Sequence, residues 1–194
     1  MTKKQLLAVK RYAKETMAKT MDNMHTFEHL DRVRGNALKI VNILKIEKEI
    51  DLNLLQAACY LHDIHYINHR NSLITWMKET KYLKAMLPDI IKQFNLIESD
   101  RYLLSEAVYN HTHAFPFRRL NQKYSLYSQI VQDADQLEMW SNTRLINLEK
   151  TKSFSRFYKI VSLFSGLFIK RIKKNADTYL NFPQVIEYFK EDYM

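Results

Sequence analysis

Glycine is almost missing from this chain: only Gly35 and Gly166 occur among 194 residues, with three prolines, Pro88, Pro116 and Pro183. A sheet protein of this length needs many tight turns, and the residues that turn most cheaply are the ones it lacks. Long helices joined by short polar links need few, so the composition predicts an all-α fold. Cysteine is nearly absent too. Cys59 alone excludes an intramolecular disulfide, and its place in the apolar run Leu54–Leu61 marks it as a small buried hydrophobe rather than a reactive thiol. No apolar run approaches the roughly 18 residues that cross a bilayer; the longest, Ile160–Ile169, is interrupted by Ser162, Ser165 and Gly166. The N-terminal Met-Thr-Lys-Lys-Gln-Leu-Leu has neither the apolar stretch nor the cleavage site of a signal peptide. The expectation is a cytoplasmic protein with no membrane partner.

Charge of one sign is in surplus. Thirty basic residues against 21 acidic ones give a formal charge of +9 and a pI near 9.5, which biases the surface toward anions such as phosphorylated metabolites. Basic residues are densest in Lys150–Lys174, notably Lys170-Arg171-Ile172-Lys173-Lys174. No nucleic-acid-reading motif accompanies them, so a solvated helix face is expected there, with nucleic acid as the lesser alternative.

There is no internal repeat, low-complexity tract or Pro/Gly/Ser linker, which predicts one domain over 1–194 with a motif core at 24–140 and C-terminal helices 141–194 packed on it. Helical periodicity predicts about eight or nine helices. They fall near 3–20, 24–44, Asp51 onward to Leu61, Leu73–Leu87, a short one begun by Pro88, and one capped by Ser99 running to Thr112. Then come one from Ser125 through Trp140, and two more near 152–173 and 183–191. Phe115–Lys123, with Arg118-Arg119, is expected to be the longest surface loop.

All seven histidines lie between His25 and His113, and none falls in the last 81 residues. Three groupings stand out. His25 and His29 are four apart, so on a helix they share a face; the intervening order HTFEH is not the HExxH of a zinc protease. Tyr60-Leu61-His62-Asp63 ends a buried apolar helix in adjacent imidazole and carboxylate. Helical neighbours point about 100° apart, so the two converge only where the helix ends or bends. Such a pair suits Mn²⁺, Fe²⁺, Mg²⁺, Ni²⁺ or Zn²⁺. Third, Asp133-Ala-Asp135 sits inside an amphipathic helix, where two carboxylates beside Ala134 and Leu137 need a cation or a hydrogen-bonding reason.

Together, His…His-Asp…Ala-Asp-x-Leu with spacings of 33 and 72 resembles the HD superfamily of metal-dependent phosphohydrolases. His29-Leu-Asp-Arg-Val is similar to the family's HxxRV helix and Leu61-His-Asp to its signature pair. Glu106-Ala-Val-Tyr-Asn-His111-Thr and Gln132-Asp-Ala-Asp-Gln-Leu137 are similar to its later histidine segment and closing DADxL helix. The resemblance implies an all-α HD-type bundle and metal ligands at His29, His62, Asp63 and Asp135, with Asp133 orienting a ligand or holding a water.

The same resemblance implies hydrolysis of a phosphorylated small molecule, such as a nucleotide, by a metal-bound water, with Asp63 and His111 as catalytic residues. His111 is a general acid–base candidate or a donor to a second metal. Arg32, Arg70 and the pair Arg118-Arg119 are candidate phosphate clamps. His65 and His69 are expected to face substrate, and His25 and His113 to lie at the surface or behind the ligands. No histidine occurs between residues 70 and 110, so one divalent metal is expected. Tyr66 stands where several nucleotidases carry the glutamate of HDxxE, and the HDxxED and GYP signatures of other branches are absent, which argues against their substrates. The closer likeness is to small stand-alone bacterial HD proteins. Alternatives are a non-phosphatase metalloenzyme, with more ligands for two irons, or a regulatory module with a structural metal. The aromatic-rich last 50 residues (Phe154, Phe157, Tyr158, Phe164, Phe168, Tyr179, Phe182) are expected to form core, pocket wall or a homodimer face.

Overall fold

Side-chain capping decides where most of the helices begin. The computed structural model describes every residue except 21, 70–71, 113–122, 154–155, 164–173, 176–177 and 193–194, with backbone alone at 190–192. Helix α1 (Lys3–Met17) starts at a capping box in which Thr2 and Gln5 satisfy each other's backbone N–H. Helix α2 (Phe27–Leu44) ends at Lys45, whose left-handed φ of 58° stops it. Asp51 caps α3 (Leu52–Leu61) by accepting from Asn53 and Leu54 N–H, and Ser72 and Ser125 cap α4 (Leu73–Lys92) and α6 (Leu126–Met139). Between α4 and α6 lies α5 (Glu98–Asn110), and after α6 comes α7 (Asn142–Thr151). Short 3-10 stretches cover Ile64–Ile67 and Pro183–Asp192, and residues 156–163 are helical. No strand occurs among the described residues. The fold is all-α.

Three boundaries and one whole helix differ from the expectation. Helix α4 runs through Pro88 instead of breaking there. Proline removes one backbone bond to the residue four before it, here Lys84; both residues are on the exposed face, while Leu83, Leu87, Ile90 and Ile91 carry the buried face onward. Ser99 caps nothing: α5 begins at Glu98, with Glu98 and Asp100 in its first turn, where negative charge suits the helix dipole. Helix α2 starts at Phe27, leaving His25 in the bend before it. Helix α7 was not expected at all. Ser141 caps it by accepting from Arg144 N–H, and it buries Arg144, Leu148 and Thr151. The loop around Arg118-Arg119, His113, Arg70, Phe154, and residues 164–173 of the expected long helix lie outside the described residues.

Helix α3 is apolar except at the half-buried Asn53 and Gln56, with Leu54, Leu55 and Ala57–Leu61 buried, the pattern of a helix largely enclosed by others. Helices α1, α2, α5 and α6 all pack against it, and α2 lies along α6. The main apolar cluster runs from Leu6 to Phe189, so the last described segment packs on the same core. The structural consequence for function is direct: α3 ends in the interior, and His62 and Asp63 are its next two residues.

Candidate metal centre

Because α3 stops at Leu61, the chain turns at His62 and Asp63 and sends both side chains into one buried space. Helix α2 adds His29 from one side and α6 adds Asp135 from another. His29 Nε2 lies 3.2 Å from Asp63 Oδ2 and 3.4 Å from Asp135 Oδ1. His62 Nε2 lies 3.4 Å and 3.7 Å from the same two oxygens. The side chains of His29, His62 and Asp63 are 1%, 0% and 7% exposed, whereas Asp135 is 22% exposed. Solvent therefore reaches the cluster from the Asp135 side.

The hydrogen bonds fix which ring nitrogen carries the proton. His62 Nδ1 is 2.8 Å from the Cys59 carbonyl and His111 Nδ1 is 2.7 Å from the Val108 carbonyl. A carbonyl only accepts, so both rings donate from Nδ1. His29 Nδ1 likewise meets Glu138 Oε2 at 2.9 Å. In the neutral ring Nε2 is then a bare lone pair, and all three Nε2 atoms face carboxylate oxygens. Buried His62 Nε2 has no hydrogen-bond partner at all. Lone pairs facing carboxylates in a dry space repel unless something positive stands between them. Without a metal, protons do so: burial opposes charge on His62, but Asp63 and Asp135 outweigh it and push the imidazole up to about 9. Burial would raise Asp63, yet the imidazoles around it, His62 foremost, hold it far below the usual carboxylate range. The donor set fits a divalent cation, with Nδ1–H bonds of the kind that orient metal-bound histidines.

Glu138, on α6, is the largest feature the sequence did not announce. Fully buried, it accepts from Arg32 Nε at 2.8 Å and Arg32 Nη2 at 2.7 Å as well as from His29, and Arg144 Nε stands 3.6 Å away. Against the penalty of burial, His29 and Arg144 hold its carboxyl well below the usual range. Arg32, expected as a phosphate clamp, thus spends its guanidinium on Glu138; its side chain is 32% exposed.

A second donor set lies behind Asp63. Glu79 comes from the middle of α4 and is buried, with Oε1 3.1 Å from His111 Nε2. The stretch between residues 70 and 110, which lacks histidine, therefore does supply a donor. Burial raises the Glu79 carboxyl above its usual value. His65, expected to face substrate, is instead fully buried with neither ring nitrogen hydrogen-bonded, and burial drives it down to about 3. Single donor atoms of Asp63, His65 and Glu79 lie within 4.8 Å of one another, as do those of His62, Asp63 and His111, and of His29, His62 and Asp135. His69 stacks on Tyr82 at 3.8 Å, outside these groups.

Asp133 goes elsewhere. It accepts from the backbone N–H groups of Asn181 and Phe182 and from Asn181 Nδ2, all at 2.8 Å. Two residues from Asp135 on a helix it faces the opposite way, and it ties down the C-terminal segment in place of orienting a ligand. Cys59 is buried, and burial pushes its thiol up, as befits an inert core residue.

The sequence profile of the HD domain matches residues 26–140, which span every donor named above. The chain belongs to the HD family. Members of that family are generally metal-dependent hydrolases. Two solved structures have a similar fold. Bacillus subtilis YpgQ, solved in complex with ADP, superposes with a TM-score of 0.61 at 14% identity, over 98% of this chain and 88% of that one. A Lactobacillus plantarum protein from structural genomics gives 0.58 at 24% identity over 79% of this chain; the match spans 65% of that protein's length. A predicted HD superfamily hydrolase from an uncultured Thermotogales bacterium gives 0.49 at 21% identity, over 88% and 90% of the two chains. No curated protein matches the chain. No helix among the described residues is long and apolar enough to cross a membrane.

Proposed function

We propose that the protein is a divalent-metal-dependent phosphohydrolase acting on a phosphorylated small molecule, with a nucleotide as the substrate class. The observation that carries the metal is the set of Nε2 lone pairs of His29 and His62, turned by Glu138 and the Cys59 carbonyl onto the Asp63 and Asp135 carboxylates. Three of the four donors are sealed and Asp135 is partly open to solvent, so a cation held by them would be reachable by water and substrate from that side, as in catalytic sites. Such a cation supplies an acidified water and offsets charge on phosphoryl oxygens. The surplus of basic residues favours an anionic substrate. The ADP bound by YpgQ supports a nucleotide in this fold, and nothing in the chain resembles a nucleic-acid reader.

The chain's own residues have defined tasks. Asp63 bridges the two donor sets, His29 and His62 present lone pairs, and Glu138 fixes the His29 ring. His111 pairs with Glu79 rather than reaching the open side, which suits it to a second cation or to charge balance more than to a free acid–base role. The test is a panel of nucleotides and phosphate esters incubated with the Mn²⁺-loaded protein. Phosphate or pyrophosphate release that is lost in Asp63→Ala supports the proposal. A folded, metal-loaded protein that turns over none of them contradicts it. A second reading has one observation behind it, the additional donors His65 and Glu79: two irons per chain with no phosphate release would favour oxidative chemistry.

A further inference from the structure

A fourth histidine, His25, borders the three that present Nε2 to the carboxylates of the centre. It lies just before α2, 8% exposed, with its ring stacked on Tyr66 at 3.8 Å and 10°. Its Nε2 is 3.8 Å from Asp63 Oδ2. Metal–ligand bonds of about 2 Å put neighbouring donor atoms roughly 3–4 Å apart, so His25 Nε2 stands within ligand range of a cation on Asp63.

That nitrogen is already taken. Arg144 Nη2 lies 3.2 Å from it. A guanidinium has donors only and keeps its protons, so His25 Nε2 must accept, and the ring proton sits on Nδ1, 3.3 Å from Asp22 Oδ2. The neutral ring has one lone pair on nitrogen, and Arg144 consumes it. Arg144 is held for the task. It is 8% exposed, another of its N–H groups bonds the Met24 carbonyl, and its Nε stands 3.6 Å from Glu138 Oε2. It comes from the first turn of α7, beyond the matched 26–140.

We propose that Arg144 is a positioning residue that withholds His25 from the metal. A third imidazole would fill a coordination position of the cation on Asp63. With His25 engaged by Arg144, that position stays with water or substrate, which separates an open site from a closed one. The inference rests on the metal reading above. Glu138 still has both Arg32 and His29 when Arg144 is lost, so removing Arg144 leaves the His29 ring held.

The test counts imidazoles on the metal. The full chain and its variants are loaded with less than one equivalent of Cu²⁺, and bound histidine nitrogens are counted by pulsed electron paramagnetic resonance. Arg144→Met is expected to gain one imidazole over the unaltered chain, and Arg144→Met with His25→Ala to lose it again. An unchanged count in folded Arg144→Met overturns the proposal. His25→Ala alone is expected to leave the count as it was. A lower count there means that His25 is a ligand already, and overturns the proposal even if Arg144→Met fails to fold. Loss of an imidazole in His62→Ala is expected from the metal reading; an unchanged count there shows that the metal reading itself has failed.

Discussion

Glu138 Oε2 stands 2.9 Å from His29 Nδ1, and that single contact decides which nitrogen His29 offers to the metal centre. Together with His29, two arginines on the same carboxylate keep it ionised in a buried position. Outer partners of this kind usually contribute about 10–100-fold to metal affinity. Glu138→Ala is therefore expected to weaken Mn²⁺ binding by a factor in that range, measured by titration calorimetry, with helix content unchanged. Equal affinity in the two proteins would show that His29 needs no orienting partner.

Asp133 makes the opposite prediction. Its three accepted bonds all come from Asn181 and Phe182, so Asp133→Ala should leave Mn²⁺ affinity alone. It should destabilise the C-terminal segment, since a buried donor left unpaired costs about 1–3 kcal/mol. Hydrogen exchange at Asn181 and Phe182 is the readout. Lowered metal affinity with unaltered exchange would return Asp133 to the metal.

The contrast between these two residues marks what the sequence could show. His62 and Asp63 were legible because they are adjacent, and adjacency survives folding; the apolar run before them already placed them at the end of a buried helix. Asp133 and Asp135 look alike in sequence, and only the packing of the last segment on α6 separates them. Glu79, Glu138 and Arg144 reach the centre through the packing of α4, α6 and α7, which no local pattern specifies. Glu79 did leave a trace. It falls four residues after Thr75 and four before Leu83, in line with Leu87, on the buried face of α4, and a charged residue on that stripe signals a buried partner. Arg144 left less, because α7 is a short helix whose apolar pattern is weak and whose Ile146 points outward.

Gly35 lies inside α2, and a Cβ built there meets nothing within 4 Å. Glycine costs a helix interior about 0.5–1 kcal/mol relative to alanine. Gly35→Ala is expected to raise the melting temperature by roughly 1–4 °C for a chain of this size. A fall in scanning calorimetry would reveal a packing role for the bare backbone.

Asp22 sets an expectation for acid. It accepts from Tyr158 Oη at 2.8 Å and from Met24 N–H at 2.8 Å, beside His25. Despite burial, which acts to raise it, His25 leads the contacts that hold its carboxyl below the ordinary 3.8. A depressed folded value means that the unfolded chain takes up protons first as pH falls. The stabilisation is thus complete above about pH 5 and lost progressively below it. Asp22→Asn should be less stable than the unaltered chain at pH 6, and the gap should narrow measurably as pH falls to 3, read from urea unfolding. A constant difference across that range would contradict the pairing.

The central claim is a metal held by His29, His62, Asp63 and Asp135, and crystals grown with Mn²⁺ test it most directly through anomalous scattering. The account predicts a peak bonded to His29 Nε2, His62 Nε2 and the Asp63 and Asp135 carboxylates, with an open position on the Asp135 side. A fully ordered site with no peak there, or a peak bonded only to His65 and Glu79, would contradict it.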